Sequence, residues 1–283
     1  MNSMPQRSHL ALAFTDLDDT LIYPVRLAAG QWLDPGRLIT VERMQGQPAT
    51  VMPRDAARIW SALVAADSVV PATTRTTLQY TALTLPGGRP RVAIAGNGAD
   101  ILYNDVPDPA WREHVQHILA ATSAPFDHVS KELGLLAERS ATLGRPFLAD
   151  GLYIVLGSRT PPIPSELLAE LVELTQPLGW RTVVHGRRIY ALPTSLDKQL
   201  AVQRVAADRG AQRLFAAGDS LLDEQMLLSA TAAIYPPHGA IHQRGWTTPN
   251  GFVAASSGLT ASQEILEWLA TRMRDAHDEA TDG

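Results

Sequence analysis

The sequence predicts an α/β protein: a doubly wound, mostly parallel sheet with helices on both faces and an inserted α+β domain. Three observations carry that expectation. Short apolar segments alternate with segments of helical periodicity along nearly the whole chain. The first apolar segment, Leu10 to Phe14, is continuous rather than alternating, which is the pattern of a parallel strand buried on both faces. From about Pro107 the texture changes, and the stretch 108–192 carries strands and helices of its own before the first pattern resumes near Pro193. The expected division is a core made of 1–107 and 193–283 and an insertion made of 108–192.

Leu38 to Arg43 and Ala49 to Met52 read as the strands of a small hairpin, with Gly46 and Pro48 of "MQGQP" supplying the turn. Arg54 to Ala66 has helical periodicity. "SVVPATTRT" reads as a strand with a hydroxyl-rich exit, and Val92 to Ala95 as another, closed by "GNGAD". In the insertion, Trp111 to Ala121 and Lys131 to Ser140 read as helices and Leu152 to Leu156 as a strand. Ser165 to Thr175 reads as an amphipathic helix with Pro164 near its first turn. "WRTVVHGRRIYALP" reads as two strands about a His-Gly turn. The core then resumes with a helix over Lys198 to Asp208, the strand "LFAAG", a helix over Asp223 to Ala230 and a last strand, Ala233 to Tyr235. Ser262 to Arg274 closes the chain as a helix, and the polar tail "DAHDEATDG" is expected to fray. Trp32, Trp60, Trp111, Trp180, Trp246 and Trp268 read as core or domain-packing residues, any of which would also serve as an aromatic platform for a sugar.

Composition narrows the function. The chain has 283 residues, 45% of them apolar, enough for a sizeable core. A net charge of −5 and the lack of a basic block argue against a nucleic-acid partner. No apolar stretch approaches the roughly 18–20 residues that span a bilayer. The apolar run after "MNSMPQRSH" is short and stops at an Asp-rich segment, so it is expected to be a strand rather than a signal peptide. The sequence contains no cysteine, which excludes disulfides, thiolate metal sites and a Cys nucleophile and suits a reducing cytoplasm.

The chemistry gathers where predicted strands end. The first ends in Asp16-Leu17-Asp18-Asp19-Thr20, the second in Thr73-Thr74-Arg75, and "LFAAGDSLLDEQML" ends in Asp219 with Asp223 four residues on. Ligands of open α/β sheets bind outside the carboxyl ends of the strands. If these strands are neighbours, Asp16, Asp18, Asp219 and Thr73 meet at one rim, within reach of Lys198 at the start of the helix before the third strand. Clustered carboxylates repel one another, and burial raises their pKa values. A Mg²⁺ ion would relieve both effects while keeping open positions for phosphate oxygens. Lys198 and the Thr73 hydroxyl would hold further phosphoryl oxygens, helped by backbone N–H groups in the turn after Asp16. The expected partner is thus a small phosphorylated molecule, with Mg²⁺ as cofactor.

These residues resemble the motifs of the haloacid dehalogenase (HAD) superfamily of phosphotransferases, and in particular its sugar-phosphate phosphatase branch with a large inserted cap, of the Cof-type and sucrose-phosphatase-like kind. The first motif, DxDxT, stands as "DLDDT"; the second as "ATTR", close to that branch's "ATGR"; the third, a Lys, in "SLDKQLAV"; the fourth, GDxxxD, as "GDSLLD". "GNGADI" is similar to the branch's "NGA" segment, which adds Asn97 to the candidates. The resemblance implies a HAD-like core, a nucleophile at Asp16 that forms an aspartyl-phosphate, and an acid and base at Asp18 that would also offer its backbone carbonyl to the metal. It implies a metal ligand at Asp219, a supporting acid at Asp223 and phosphoryl-oxygen binders at Thr73 and Lys198. The expected metal set is therefore Asp16, Asp18, Asp219 and Asp223. The placement of the insertion between the second motif and the Lys implies a specificity cap whose closure excludes water, and a phosphorylated sugar or sugar acid as substrate.

Departures from the pattern leave alternatives. Asp19 stands where Gly is common. Thr74 replaces the Gly of "TGR", so either Thr73 or Thr74 is the phosphate-binding hydroxyl. Arg75 would steer an anionic substrate or form a structural salt bridge. Arg187 and Arg188 would present charge from the insertion to a second anionic group, or form a solvated hairpin turn. His238 and His242 have helical metal spacing, but Pro236, Pro237 and Gly239 argue against a helix there. A phosphomutase, a non-catalytic phosphosugar-binding regulator and a receiver domain share parts of this pattern. The receiver reading leaves Asp18 and the insertion unexplained.

Overall fold

The computed structural model describes residues 10–28, 35–159 and 162–281, so Trp32 lies outside the described residues. The first part of the chain forms β1 (Ala11–Thr15), β2 (Tyr23–Pro24), α1 (Val25–Ala28), β3 (Leu38–Met44), β4 (Gln47–Pro53), α2 (Arg54–Ala65), β5 (Val69–Pro71), α3 (Thr77–Thr81), β6 (Val92–Ala95), β7 (Asp100–Tyr103) and β8 (Val106–Pro107). There follow α4 (Pro109–Thr122), α5 (Phe126–Arg139), β9 (Phe147–Ala149), β10 (Tyr153–Gly157), α6 (Ser165–Thr175), β11 (Trp180–His185) and β12 (Arg188–Pro193). The last part forms α7 (Lys198–Arg209), β13 (Arg213–Ala217), α8 (Glu224–Ser229), β14 (Ala232–Tyr235), α9 (Ala240–Gln243), β15 (Gly251–Val253) and α10 (Leu259–Thr281).

These elements form two compact units, one of Met1–Asp108 with Lys198–Gly283 and one of Pro109–Asp197. In the first, five parallel strands run in the order β15-β14-β13-β1-β5. β1 is buried along its whole length. Its alternate residues Ala11 and Ala13 face a core that includes Trp60 of α2 and Leu266 and Leu269 of α10. Both faces being apolar explains the unbroken apolar run. The chain leaves β1 for β5 on one side and later fills β13, β14 and β15 on the other, so the order reverses at β1 and opens a crevice there. β6 meets the edge through a single parallel bridge, Ala72 with Ile94, and otherwise pairs antiparallel in a β6-β7-β8 sheet.

A third sheet, β2-β4-β3, holds the hairpin. Its turn is Gln45-Gly46, both left-handed at φ 50° and 79°, the geometry a two-residue turn needs to match strand twist. Pro48 lies inside β4 opposite Arg43, not in the turn. It is tolerated because β2 pairs only as far as Thr50 and has no ladder there to interrupt.

In the second unit, β11-β12-β10-β9 form an antiparallel sheet. Ile154, Leu156, Ile189, Ala191 and Trp180 pack with Val129, Leu133 and Leu136 of α5 and Leu171 of α6. Thr194 donates to the Gly179 carbonyl at 2.9 Å and Arg181 reaches Asp197 at 3.1 Å, which holds the residues after Pro193 to this unit.

Two further sequence expectations are corrected. Ala232–Tyr235 is not the last strand, since β15 adds an edge; at three residues, led by Gly, it is too short to carry a periodic signal. The C-terminal tail does not fray at Asp275: α10 continues to Thr281, with Ala276 fully buried and Glu279 paired to Arg213 at 2.5 Å. At three residues β9 likewise carries no periodic signal.

Candidate active site

The rim of the parallel sheet builds the site. Thr15 is in register with Ala217 of β13 and Pro71 of β5. The Asp16 N–H donates to the Ala217 carbonyl, and the Ala72 N–H to the Thr15 carbonyl, both at 2.8 Å. Asp16, Gly218 and Ala72 thus leave the sheet at one level, with Thr73 one residue further on.

After Asp16 the chain folds into a tight turn. The Leu17 carbonyl accepts from Leu21 and Ile22, and Asp19 donates to Ile22, each at 2.9 Å. Asp19 takes φ 58°, a left-handed conformation that Gly adopts freely and Asp tolerates better than most residues. The preference for Gly at this position has its physical reason there.

Lys198 opens α7 and is fully buried. Its ammonium donates to Asp16 Oδ1 and Asp223 Oδ1, both at 2.6 Å. Burial disfavours the charged amine, but the two carboxylates outweigh it and hold the Lys198 pKa above the ordinary lysine value. Burial likewise dominates at Asp16 and pushes its carboxyl up to about 7; Lys198 opposes this, while Asp223 and Asp18 add to it. The other Asp16 oxygen, Oδ2, has no hydrogen bond to a described residue.

Asp223 is consumed by the fold. Beyond Lys198, its Oδ2 accepts from the Asp219 N–H at 3.2 Å, the Ser220 N–H at 2.9 Å and the Ser220 hydroxyl at 2.8 Å. This folding-back needs Gly218, where a Cβ would lie 2.5 Å from the Asp223 Cβ. Asp219 is buried and accepts from the Thr20 hydroxyl at 3.3 Å. Asp16, Asp219 and Asp223 each offer an oxygen within 4.8 Å of the others. This donor set, all hard carboxylate oxygen, fits Mg²⁺. Asp16 and Asp219 would hold the ion, and Asp223 would orient Lys198 and the turn.

The Asp18 carboxylate stands apart from that cluster. Arg75 grips both its oxygens, through Nε at 2.7 Å and Nη2 at 2.8 Å, and grips Glu42 of β3 through Nη1 and Nη2, both at 3.0 Å. The Arg75 N–H donates to the Thr73 hydroxyl at 3.1 Å, and Thr73 is fully buried. Thr74 is half-buried beside it. Asn97, buried and left-handed at φ 57°, donates its backbone N–H to the Thr73 carbonyl at 3.0 Å, so it reaches the cluster through its main chain.

Arg187 and Arg188 lie in the second unit, where the Arg187 guanidinium donates to the carbonyls of Ser158 and Arg159, both at 3.2 Å. His242 is on α9 and His238 precedes it. The His238 Nδ1 accepts from the Gly258 N–H at 3.0 Å, which leaves Nε2 to donate to the Asp19 carbonyl at 2.9 Å. His238 is therefore a brace for the Asp19 turn. Glu42 and His238 are the residues of this neighbourhood whose part no motif announced.

The fold is similar to that of solved sugar phosphatases, one of them of HAD subclass IIB. The chain is similar to the sucrose-phosphatase of Synechocystis sp. PCC6803, solved with sucrose and phosphate: TM-score 0.62, 15% identity, 93% of this chain and 98% of that one. It is also similar to the C-terminal domain of the C. albicans trehalose-6-phosphate phosphatase, with TM-score 0.56, 15% identity and 94% and 93% of the two chains covered. A HAD subclass IIB sugar phosphatase matches at TM-score 0.57 and 10% identity, over 93% of this chain and 98% of that one. At such identities the likeness is one of fold. No protein-family model matches the sequence, and no curated protein does.

Proposed function

We propose that this chain is a Mg²⁺-dependent phosphatase of the HAD superfamily that cleaves a sugar or sugar-acid phosphate through an aspartyl-phosphate on Asp16. One observation carries the reading: a buried carboxylate at the switch point of the sheet has one oxygen held by a lysine ammonium and the other without a hydrogen-bond partner among the described residues. That is the arrangement of a nucleophile kept in line, with positive charge beside the phosphorus it would attack. The structural neighbours named for sucrose, trehalose-phosphate and sugar phosphates support the substrate class.

Asp16 Oδ2 attacks phosphorus, and the bond to the alcohol oxygen breaks as Asp18 donates a proton to it. Asp18, now a carboxylate, takes a proton from water, whose oxygen displaces Asp16 and releases orthophosphate. Lys198 and the hydroxyl of Thr73 or Thr74 bind phosphoryl oxygens. When bound, Mg²⁺ supplies positive charge to the transferring group and to Asp16 and Asp219. The second unit takes the role of specificity cap, with Arg187 and Arg188 as its candidate anion contacts. No helix among the described residues is long and apolar enough to cross a membrane. With no cysteine in the chain, a reducing cytoplasm is the compartment we assign.

The test is phosphate release from a panel of sugar phosphates and a generic aryl phosphate, with Mg²⁺ and with EDTA. Turnover that needs Mg²⁺ and disappears in Asp16→Asn, with the circular dichroism spectrum intact, is expected. Near-normal turnover by Asp16→Asn, or full activity in EDTA, would overturn the assignment.

A further inference from the structure

We propose that Glu42, acting through Arg75, is a positioning residue for the Asp18 carboxylate in the hydrolytic half of the reaction. The proposal rests on the phosphatase reading above and adds to it a residue that lies 24 positions beyond Asp18, on the hairpin.

Arg75 is a two-sided connector. One edge of its guanidinium takes both oxygens of Asp18, the other both oxygens of Glu42, at 2.7–3.0 Å. A planar fork between two carboxylates has one orientation that satisfies both, so Glu42 sets the direction from which Arg75 holds Asp18. Glu42 is itself fixed. The Thr50 hydroxyl on the neighbouring strand donates to its Oε2 at 2.7 Å. The β3–β4 pairing shifts register on both sides of Glu42, a bulge of the kind that re-aims a side chain. Arg75 is 13% exposed, Glu42 22% and Asp18 37%, so the exposed end of the chain of contacts is the acid that must meet substrate.

The chemistry of the clamp favours one half of the reaction. Two N–H donors aimed at two oxygens match a carboxylate and leave no acceptor for a carboxylic proton. In the hydrolytic half Asp18 takes one proton from water, the water oxygen bonds to phosphorus, and the P–O bond to Asp16 breaks with its electron pair returning to the Asp16 carboxylate. Orthophosphate leaves, and the proton now on Asp18 goes to the next alcohol or to solvent. Without Glu42, Arg75 keeps its charge but loses its fixed direction, and the base is displaced.

Steady-state kinetics with Mg²⁺ and an aryl phosphate whose leaving group makes the first half fast reads this out. For Glu42→Gln we expect kcat to fall about tenfold, less than the roughly 10²–10⁴-fold contributed by a positioned base itself. KM falls in step, so kcat/KM stays within about twofold, because it reports only events up to aspartyl-phosphate formation. A burst of aryl alcohol near one equivalent accompanies it. Thr50→Val, which releases Glu42 without removing it, shows the same split at smaller size and carries the test if Glu42→Gln fails to fold. An active wild type whose variants keep their kcat, or lose kcat and kcat/KM together without a burst, overturns this proposal alone. A wild type that releases no phosphate from any substrate overturns the phosphatase reading and this proposal with it.

Discussion

Lys198 is a fully buried ammonium between two buried carboxylates, 2.6 Å from each. Removing one member of such a group leaves like charges unopposed in low dielectric, which costs about 3–5 kcal/mol. Lys198→Met is therefore expected to lose stability of that size in urea unfolding. Asp19 makes a subtler case. Its left-handed φ of 58° suits Gly or Asp and penalises a plain Cβ. Asp19→Ala is expected to cost about 1 kcal/mol, while Asp19→Gly stays near wild type because relief of strain is offset by chain entropy. Asp16, Asp18, Lys198 and Asp219 were legible because each stands in a short motif beside a strand or helix end. Glu42 was not: it meets Arg75 across 33 positions, through a bulge that no local pattern encodes.

At the scale of elements, the junction of β13 and α8 shows why "GDSLLD" has its spacing. Asp223 turns back to accept two N–H groups and a hydroxyl, and only Gly218 leaves it room. Gly218→Ala places a methyl 2.5–2.6 Å from the Asp223 side chain and must displace it. The expected cost is about 1–3 kcal/mol, the range for overpacking, measured by thermal unfolding, together with lost Mg²⁺ response. The elements that could be read were those with strong signals, such as the unbroken apolar β1 and the amphipathic α6. β9 and β15, at three residues each, offered none, and the continuation of α10 depends on a burial of Ala276 that its polar neighbours conceal.

At the scale of the whole molecule, an ion that binds only the folded acidic cluster must stabilise the fold by mass action. Adding Mg²⁺ to metal-free protein is expected to raise the unfolding free energy by about 2.7 kcal/mol at a hundredfold excess over Kd. Asp219→Ala should remove that gain, and an unchanged melting temperature in the wild type would contradict the metal assignment. The sequence by itself determined the residue types, their order, the apolar strands and the insertion, because each is written in neighbouring positions through periodicity or a motif. The tertiary structure alone decided that β13 and β5 flank β1, that Lys198 joins Asp16 to Asp223, and that Arg75 joins Asp18 to Glu42. Those contacts arise from strand order and register, which bring together side chains 25 to 182 positions apart that no local rule relates.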